Sequence, residues 1–294
     1  MKFNRRFVLR SGTMLPFAGF VPATPPASPT AEDRLLLYQT DLGAGNTIFT
    51  RNLDGSGAAP LVPEFSTPCK HPDWSPDGTK IVFASDDDAG NLYTVNADGT
   101  DLVELLSCGD ICAFADFPAW SPDGEHVAFT GYSASTDGPP PSSHIYVLEV
   151  ATGAVTAVVE QRQPYLVDVP RWSPDGNSLV VGIDQFDEAF NEVGSAIAIV
   201  SASGGDLDLL TDYEDFAYYP DWSWTSDAIV FSTETLGYRA SDAPPVASWN
   251  LFTIRPDGSD KQQITDSADG HFLWQPSWVP GENRLTATED SEQG

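Results

Sequence analysis

Residues 71–85 read HPDWSPDGTKIVFAS, and the same script returns as FPAWSPDGEHVAFTG at 117–131 and as VPRWSPDGNSLVVGI at 169–183. Pro-x-Trp is followed by Ser-Pro-Asp-Gly and then by alternating apolar residues. Proline presets one corner of a turn, aspartate suits the next, and glycine takes the left-handed backbone that closes a hairpin. The alternation behind the turn is that of a half-buried strand. The stretch is read as strand, tight turn, strand.

Working outward, Trp74, Trp120, Trp172 and Trp222 recur at intervals of 46, 52 and 50 residues, and Trp278 follows 56 later. A period near fifty marks a repeated supersecondary unit. Behind each of the first four anchors stands a second strand: KIVFAS (80–85), HVAFTG (126–131), SLVVGI (178–183) and AIVFST (228–233). Third strands follow a variable loop: NLYTVN (91–96), HIYVLEV (144–150), AIAIVS (196–201) and NLFTIR (250–255). Fourth strands close each unit: LVELLS (102–107), AVTAVVE (154–160), LDLLT (207–211) and QQITD (262–266).

Four antiparallel strands in sequence make one twisted sheet with two apolar faces, which it cannot bury alone. Radial packing buries them between neighbours. The predicted fold class is all-β: a β-propeller of four-stranded antiparallel blades over residues 31–289, with a short tail at 290–294. Each anchor tryptophan is expected to fill space between blades. The first unit starts at RLLLYQT (34–40) and has no Trp strand of its own, so QPSWVP (275–280) is expected to supply it and seal the ring. That arithmetic gives five blades with RLTATE (284–289) spare; six, the last one defective, is the alternative.

The P-x-W-S-P-D-G anchors, each with an apolar strand and a later DG turn, resemble the repeats of the TolB family of propellers. They are similar also to the propeller of prolyl-oligopeptidase-type enzymes. The resemblance covers nearly all of the chain after residue 30. YPDWSWTSD (219–227) has lost the Pro-Asp-Gly and QPSWVPGEN (275–283) the serine, which puts the turn geometry of those units in question. The resemblance implies a non-enzymatic propeller that binds a protein, peptide or glycan in the periplasm or outside the cell.

Chain direction sorts the loops. The link between blades and the loop from second to third strand leave on one face, and the other turns leave on the opposite face. The first face carries the long segments 131–143, 183–195 and 233–249, and long loops on a rigid scaffold are where function usually sits. The inter-blade links bring Lys70, His71 and Asp73, Asp116 and Phe117, Asp168 and Arg171, Tyr218, Tyr219 and Asp221, and Trp274 and Gln275 to the mouth of the channel. From these, His71, Asp73, Asp116, Arg171, Tyr218, Asp221 and Trp274 are the candidate binding residues. Arg171 is one of few positive charges and can fork onto a carboxylate.

His71, His144 and His271 map to the same face. With Asp116 they form the alternative reading, a metal site. Propellers similar to this one do occur as metal-dependent polysaccharide lyases. Each histidine stands alone, however, without a short-spaced ligand pair. No G-x-S-x-G elbow, P-loop or G-x-G-x-x-G turn is present. SDDDAGN (85–91) is rich enough in aspartate for Ca²⁺ but lacks the distal glutamate of an EF-hand. No catalytic residue and no cofactor is assigned, and a monomer is expected.

Composition agrees with many turns: Gly and Pro number 24 each. There are 43 acidic and 14 basic residues, a net charge of −29. Such a surface repels phosphate backbones, so nucleic acid is not an expected partner. A solvated acidic shell suits a salty exterior; a cationic partner is the sharper reading. Residues 1–30 have a basic start, an apolar middle and a Pro-rich end, the layout of an export signal. Arg5-Arg6 followed by Phe7, Val8 and Leu9 resembles the twin-arginine type, either cleaved or kept as a membrane anchor. Export permits a disulfide: Cys108 with Cys112, or Cys69 with one of them, leaving one thiol over.

Overall fold

The computed structural model describes residues 6–7, 35–41, 46–52, 56–87, 90–109, 111–133, 142–160, 164–189, 191–236, 247–267, 271–278 and 285–291. Three antiparallel sheets of four strands stand apart, and a fourth antiparallel set of four belongs to a seven-stranded sheet, joined to His271–Trp278 by one parallel bridge, Trp249 opposite Phe272. Blade I comprises Cys69–Trp74, Lys80–Ser85, Leu92–Asn96 and Val103–Leu106. Blade II comprises Phe114–Trp120, His126–Tyr132, Ser143–Glu149 and Val155–Glu160. Blade III comprises Tyr165–Trp172, Ser178–Phe186, Glu192–Ser201 and Asp208–Leu209. Blade IV comprises Ala217–Trp222, Ile229–Leu236, Ala247–Ile254 and Gln262–Gln263. The chain is a β-propeller, and among the described residues Tyr213–Asp215 is the one helical element, a 3-10 turn.

The two ends depart from the expected closure. Leu35–Asp41, Asn46–Asn52 and Ala59–Pro60 form a sheet of three strands. His271–Trp278 pairs with Leu285–Ser291, the segment read as spare, with Trp274 opposite Thr288. Arg6–Phe7 lies on the far edge of Leu285–Ser291. Among the described residues no ladder joins His271–Trp278 to Leu35–Asp41, so five blades sealed by that pairing are not what the sheets display. A strand that follows closely in sequence pairs at lower entropic cost than one brought from the other terminus.

The turns behind the tryptophans repeat one hydrogen-bond pattern. Ser75 Oγ accepts from Lys80 N (2.9 Å) and donates to Asp77, whose carboxylate also accepts from Thr79 N (3.0 Å). Ser121 with Asp123 and Ser173 with Asp175 do the same. Gly78, Gly124 and Gly176 take φ of 70°, 73° and 73°. In blade IV the lost Pro-Asp-Gly costs no turn: Ser226 takes the left-handed place at φ 61°, and Ser223 Oγ still accepts from Ala228 N at 3.0 Å. The equivalent turn after Trp278 lies outside the described residues.

The core runs between blades. Trp172 packs against a buried cluster that joins Ala128, Ile145 and Val158 of blade II to Leu179 of its own blade, and its indole Nε1 donates to Ala119 O at 3.1 Å. Trp120 packs against Val82 of blade I. Trp222 lies with Val180 and Ile197 of blade III. Trp74 sits beside Ile48, Leu61 and Val62, which dock the three-stranded sheet onto blade I. Aromatic side chains bury large areas, so one per blade interface supplies much of the packing. Cys108 and Cys112 form the disulfide, and Cys69 is a buried free thiol.

Candidate functional site

Every Trp strand carries a bulge at the residue before its proline. His71, Phe117, Val169, Tyr219 and Gln275 have φ of 48°, 49°, 49°, 53° and 49°. The ladder slips a register at each. Left-handed backbone is strained for non-glycine residues, most of all for β-branched Val169. Bulges re-aim side chains, and these residues meet across blades. The His71 ring stacks on Phe117 (3.9 Å between centroids), and Tyr219 meets Trp274 edge-on at 5.9 Å.

On the side of blades I and II the charges are paired. Lys70 Nζ lies 3.1 Å from Asp86 and 3.0 Å from Asp116. His71 Nδ1 is 2.5 Å from Asp116 Oδ1, which also accepts from Phe117 N at 2.8 Å. Burial opposes the charge on Asp116, but His71 and Lys70 outweigh it and hold the carboxyl below its usual range. Burial likewise opposes the charge on Lys70, and Asp116 with Asp86 raises its pKa nonetheless.

Between blades III and IV the carboxylates have no cationic partner among the described residues. A cleft of about 260 Å³ opens there, lined by Asp168, Val169, Gly182, Asp184, Glu192, Ser195, Tyr218, Tyr219 and Trp249. Tyr218 stacks on Trp249 (5.0 Å between centroids, 15° between planes) and donates its hydroxyl to Glu192. Ser195 Oγ lies 2.8 Å from both Asp184 Oδ1 and the Ala217 carbonyl, so two acceptors compete for its proton. Burial, then repulsion from Asp184, Asp116 and Glu192, pushes the Asp168 carboxyl well above its ordinary range. Burial pushes Asp184 to about 6 against the hydrogen bond from Ser195.

The structure divides the predicted residues between tiers. His71, Asp116, Tyr218 and Trp274 stand at the bulges. Asp73, Arg171 and Asp221 lie on the far side of the prolines. Asp73 and Asp221 accept the backbone N–H groups of Trp120 (2.7 Å) and Trp278 (2.8 Å) in the next tryptophan strand. Arg171 Nη1 donates to Pro170 O at 3.0 Å, and its charge acts on Asp73 and Asp221. His144 contacts Ser142 and Tyr146, while the side chain of His271 lies outside the described residues. Among the described residues no three His, Cys, Asp or Glu side chains converge as a metal would need. Of the long loops, 134–141 and 237–246 lie outside the described residues.

Asp184, Glu192, Ser195 and Trp249 were not singled out in the sequence. The reason is hairpin length: the strands of blade III run on to Phe186 and back from Glu192, where a loop over 183–195 is expected. Asp187 tightens the tip by accepting from Ala189 N (2.8 Å) and Asn191 N (2.9 Å). The signal was the alternation Gly182, Asp184, which continues the strand face carrying Val180. Trp249 was marked only by standing off the fifty-residue period.

No family model matches the chain. A TolB homolog of Chlorobaculum tepidum is 35% identical over 105 residues, 35% of this chain and 21% of that protein. Dipeptidyl-peptidase 5 of Porphyromonas gingivalis is 26% identical over 160 residues, 50% of this chain and 22% of the peptidase. The chain thus matches about a fifth of the length of these curated relatives. Among solved structures, a TolB-assigned protein of Agrobacterium tumefaciens superposes with a TM-score of 0.68 at 19% identity, covering 88% of this chain and 87% of the other. An oligogalacturonate lyase in complex with manganese superposes with a TM-score of 0.56 at 15% identity, covering 88% and 67%. Repeats, sheets and neighbours agree: the chain is a β-propeller of TolB-like repeats, similar also to the propellers of prolyl-peptidase-type proteins.

Proposed function

We propose that this chain is an exported, non-enzymatic propeller that binds a segment of another protein on its loop-rich face. One observation carries the reading: the cleft between blades III and IV combines a stacked aromatic pair with carboxylates that have no cationic partner among the described residues. Its hydroxyl, Ser195, is held by Asp184 and a main-chain carbonyl, an arrangement that orients a carboxylate rather than arming a nucleophile. Concave sites with aromatic walls and a few fixed polar groups suit a ligand that is held. The likeness to TolB proteins supports the same reading, and the basic, apolar, Pro-rich leader supports export.

The test is capture from a cell-envelope extract on the immobilised chain, beside a Trp249→Ala variant of equal thermal stability. The expected result is a protein retained by the parent and lost by the variant. Retention indifferent to Trp249 overturns the assignment of the cleft. Release of unsaturated product from oligogalacturonate with Mn²⁺ added would overturn the non-enzymatic reading.

A further inference from the structure

We infer that the cleft between blades III and IV is a site for an organic cation, the ammonium or guanidinium group of a Lys or Arg side chain presented by the bound segment. The inference rests on the peptide-binding reading and names the chemistry that reading leaves open.

Three carboxylates, Asp168, Asp184 and Glu192, line the cleft. None has a cationic partner among the described residues. Lys70 is engaged by Asp86 and Asp116, and Arg171 by the Pro170 carbonyl. Asp168 goes further: among the described residues its carboxylate accepts no hydrogen bond, and only burial and negative neighbours act on it. Across the ladder stands Gly182, where a Cβ would come within 2.8 Å of Asp168 Oδ1; glycine keeps the carboxylate clear. An anion removed from water without a counter-charge is costly. A cation arriving from outside reverses that cost.

The walls select the kind of cation. Tyr218 and Trp249, stacked on each other, line the cleft, and a cation beside aromatic rings is attracted by the ring quadrupole. A compact metal ion needs converging oxygen ligands, and no such trio forms among the described residues. A neutral sugar stacks on rings but leaves the carboxylates uncompensated. The volume, about 260 Å³, falls short of the ~300–1,000 Å³ usual for drug-sized ligands, which is the scale of one side chain.

Calorimetric titration of the full chain tests this with agmatine, Nα-acetyl-lysine methylamide and the uncharged Nα-acetyl-norleucine methylamide. The two cationic probes should bind and the uncharged one should not. Asp168→Asn should weaken binding about tenfold or more, and Trp249→Leu about threefold. Asp168→Asn should melt no lower than the parent when ligand-free, since burial and negative neighbours already disfavour the charged form it removes; that keeps the affinity loss from being read as misfolding. Equal binding of the uncharged probe, or parental affinity in Asp168→Asn, overturns the inference. So does Ca²⁺ or Mn²⁺ binding lost in Asp168→Asn while the organic cations stay silent. If the probes bind but no envelope protein depends on Trp249, the cation site stands and the partner reading fails.

Discussion

Asp73 Oδ2 lies 2.7 Å from the backbone nitrogen of Trp120, a residue 47 positions later in the next blade. Asp221 repeats the tie to Trp278. A side chain from one innermost strand thereby satisfies a main-chain donor of the next. Asp73→Ala should cost roughly 1–3 kcal/mol by orphaning a buried N–H. Asp73→Asn keeps an acceptor and sheds a charge that burial already disfavours, so it should be nearly neutral. Urea denaturation separates them; equal losses would show that the tie does not matter.

Acid should stabilise the propeller before it destabilises it. Burial raises Asp184 and Asp221 to about 6, the latter despite the nearby Arg171. A raised folded-state pKa favours the protonated folded form. Its contribution is complete below the ordinary carboxylate value near ~4 and is lost as the pH climbs through about 6. Thr79 N–H and Ser75 hold Asp77 low, while Ser121 and Ser173 chiefly do so for Asp123 and Asp175. Their contribution is present above that ordinary value and falls away below it. The melting temperature should therefore rise from pH 7 to 5 and drop below about pH 4. In Asp184→Asn the rise should shrink; an unchanged pH profile would remove Asp184 as its source.

The turns offer a paired test of backbone strain. Gly78 has φ 70° with open space around it, so Gly78→Ala should lose about 1 kcal/mol through conformation alone. Ser226 bears that strain already at φ 61°. Ser226→Gly should therefore gain slightly, by less than about 1 kcal/mol once unfolded-chain entropy is counted. Opposite signs in thermal melts are expected.

Thiol chemistry should report one hidden group. Cys69 is buried and its thiol pKa is raised, by burial first. The native chain should give no reaction with a thiol reagent, and the unreduced chain in denaturant should give one equivalent. Cys108 and Cys112 close a loop only four residues apart in sequence, so replacing both by alanine should cost roughly 2 kcal/mol on the loop-entropy account. A native-state reaction would contradict the burial of Cys69.

How much of this was legible follows from the range of each cause. The hairpins were legible, because Ser-Pro-Asp-Gly sets backbone angles locally and Lys80–Ser85 begins and ends where the alternation does. The place of Trp172 was legible as well, since only a neighbouring blade can cover a large ring on an inner strand. The left-handed bulge at Val169 was not: a residue before proline reads as extended, and only the packed strand imposes φ 49°.

The sequence by itself determined the repeat, its turns, its interfacial tryptophans and the anionic excess, because periodicity and turn chemistry act over a few residues. The tertiary structure alone decided which carboxylates share a cleft. It also decided that Leu285–Ser291 rather than Leu35–Asp41 flanks the last tryptophan strand. Those outcomes depend on which surfaces meet across sheets, and residues far apart in the chain carry no local mark of their future neighbours. Asp168 and Tyr219, fifty-one positions apart in the chain, come to line one cleft only when blades III and IV pack.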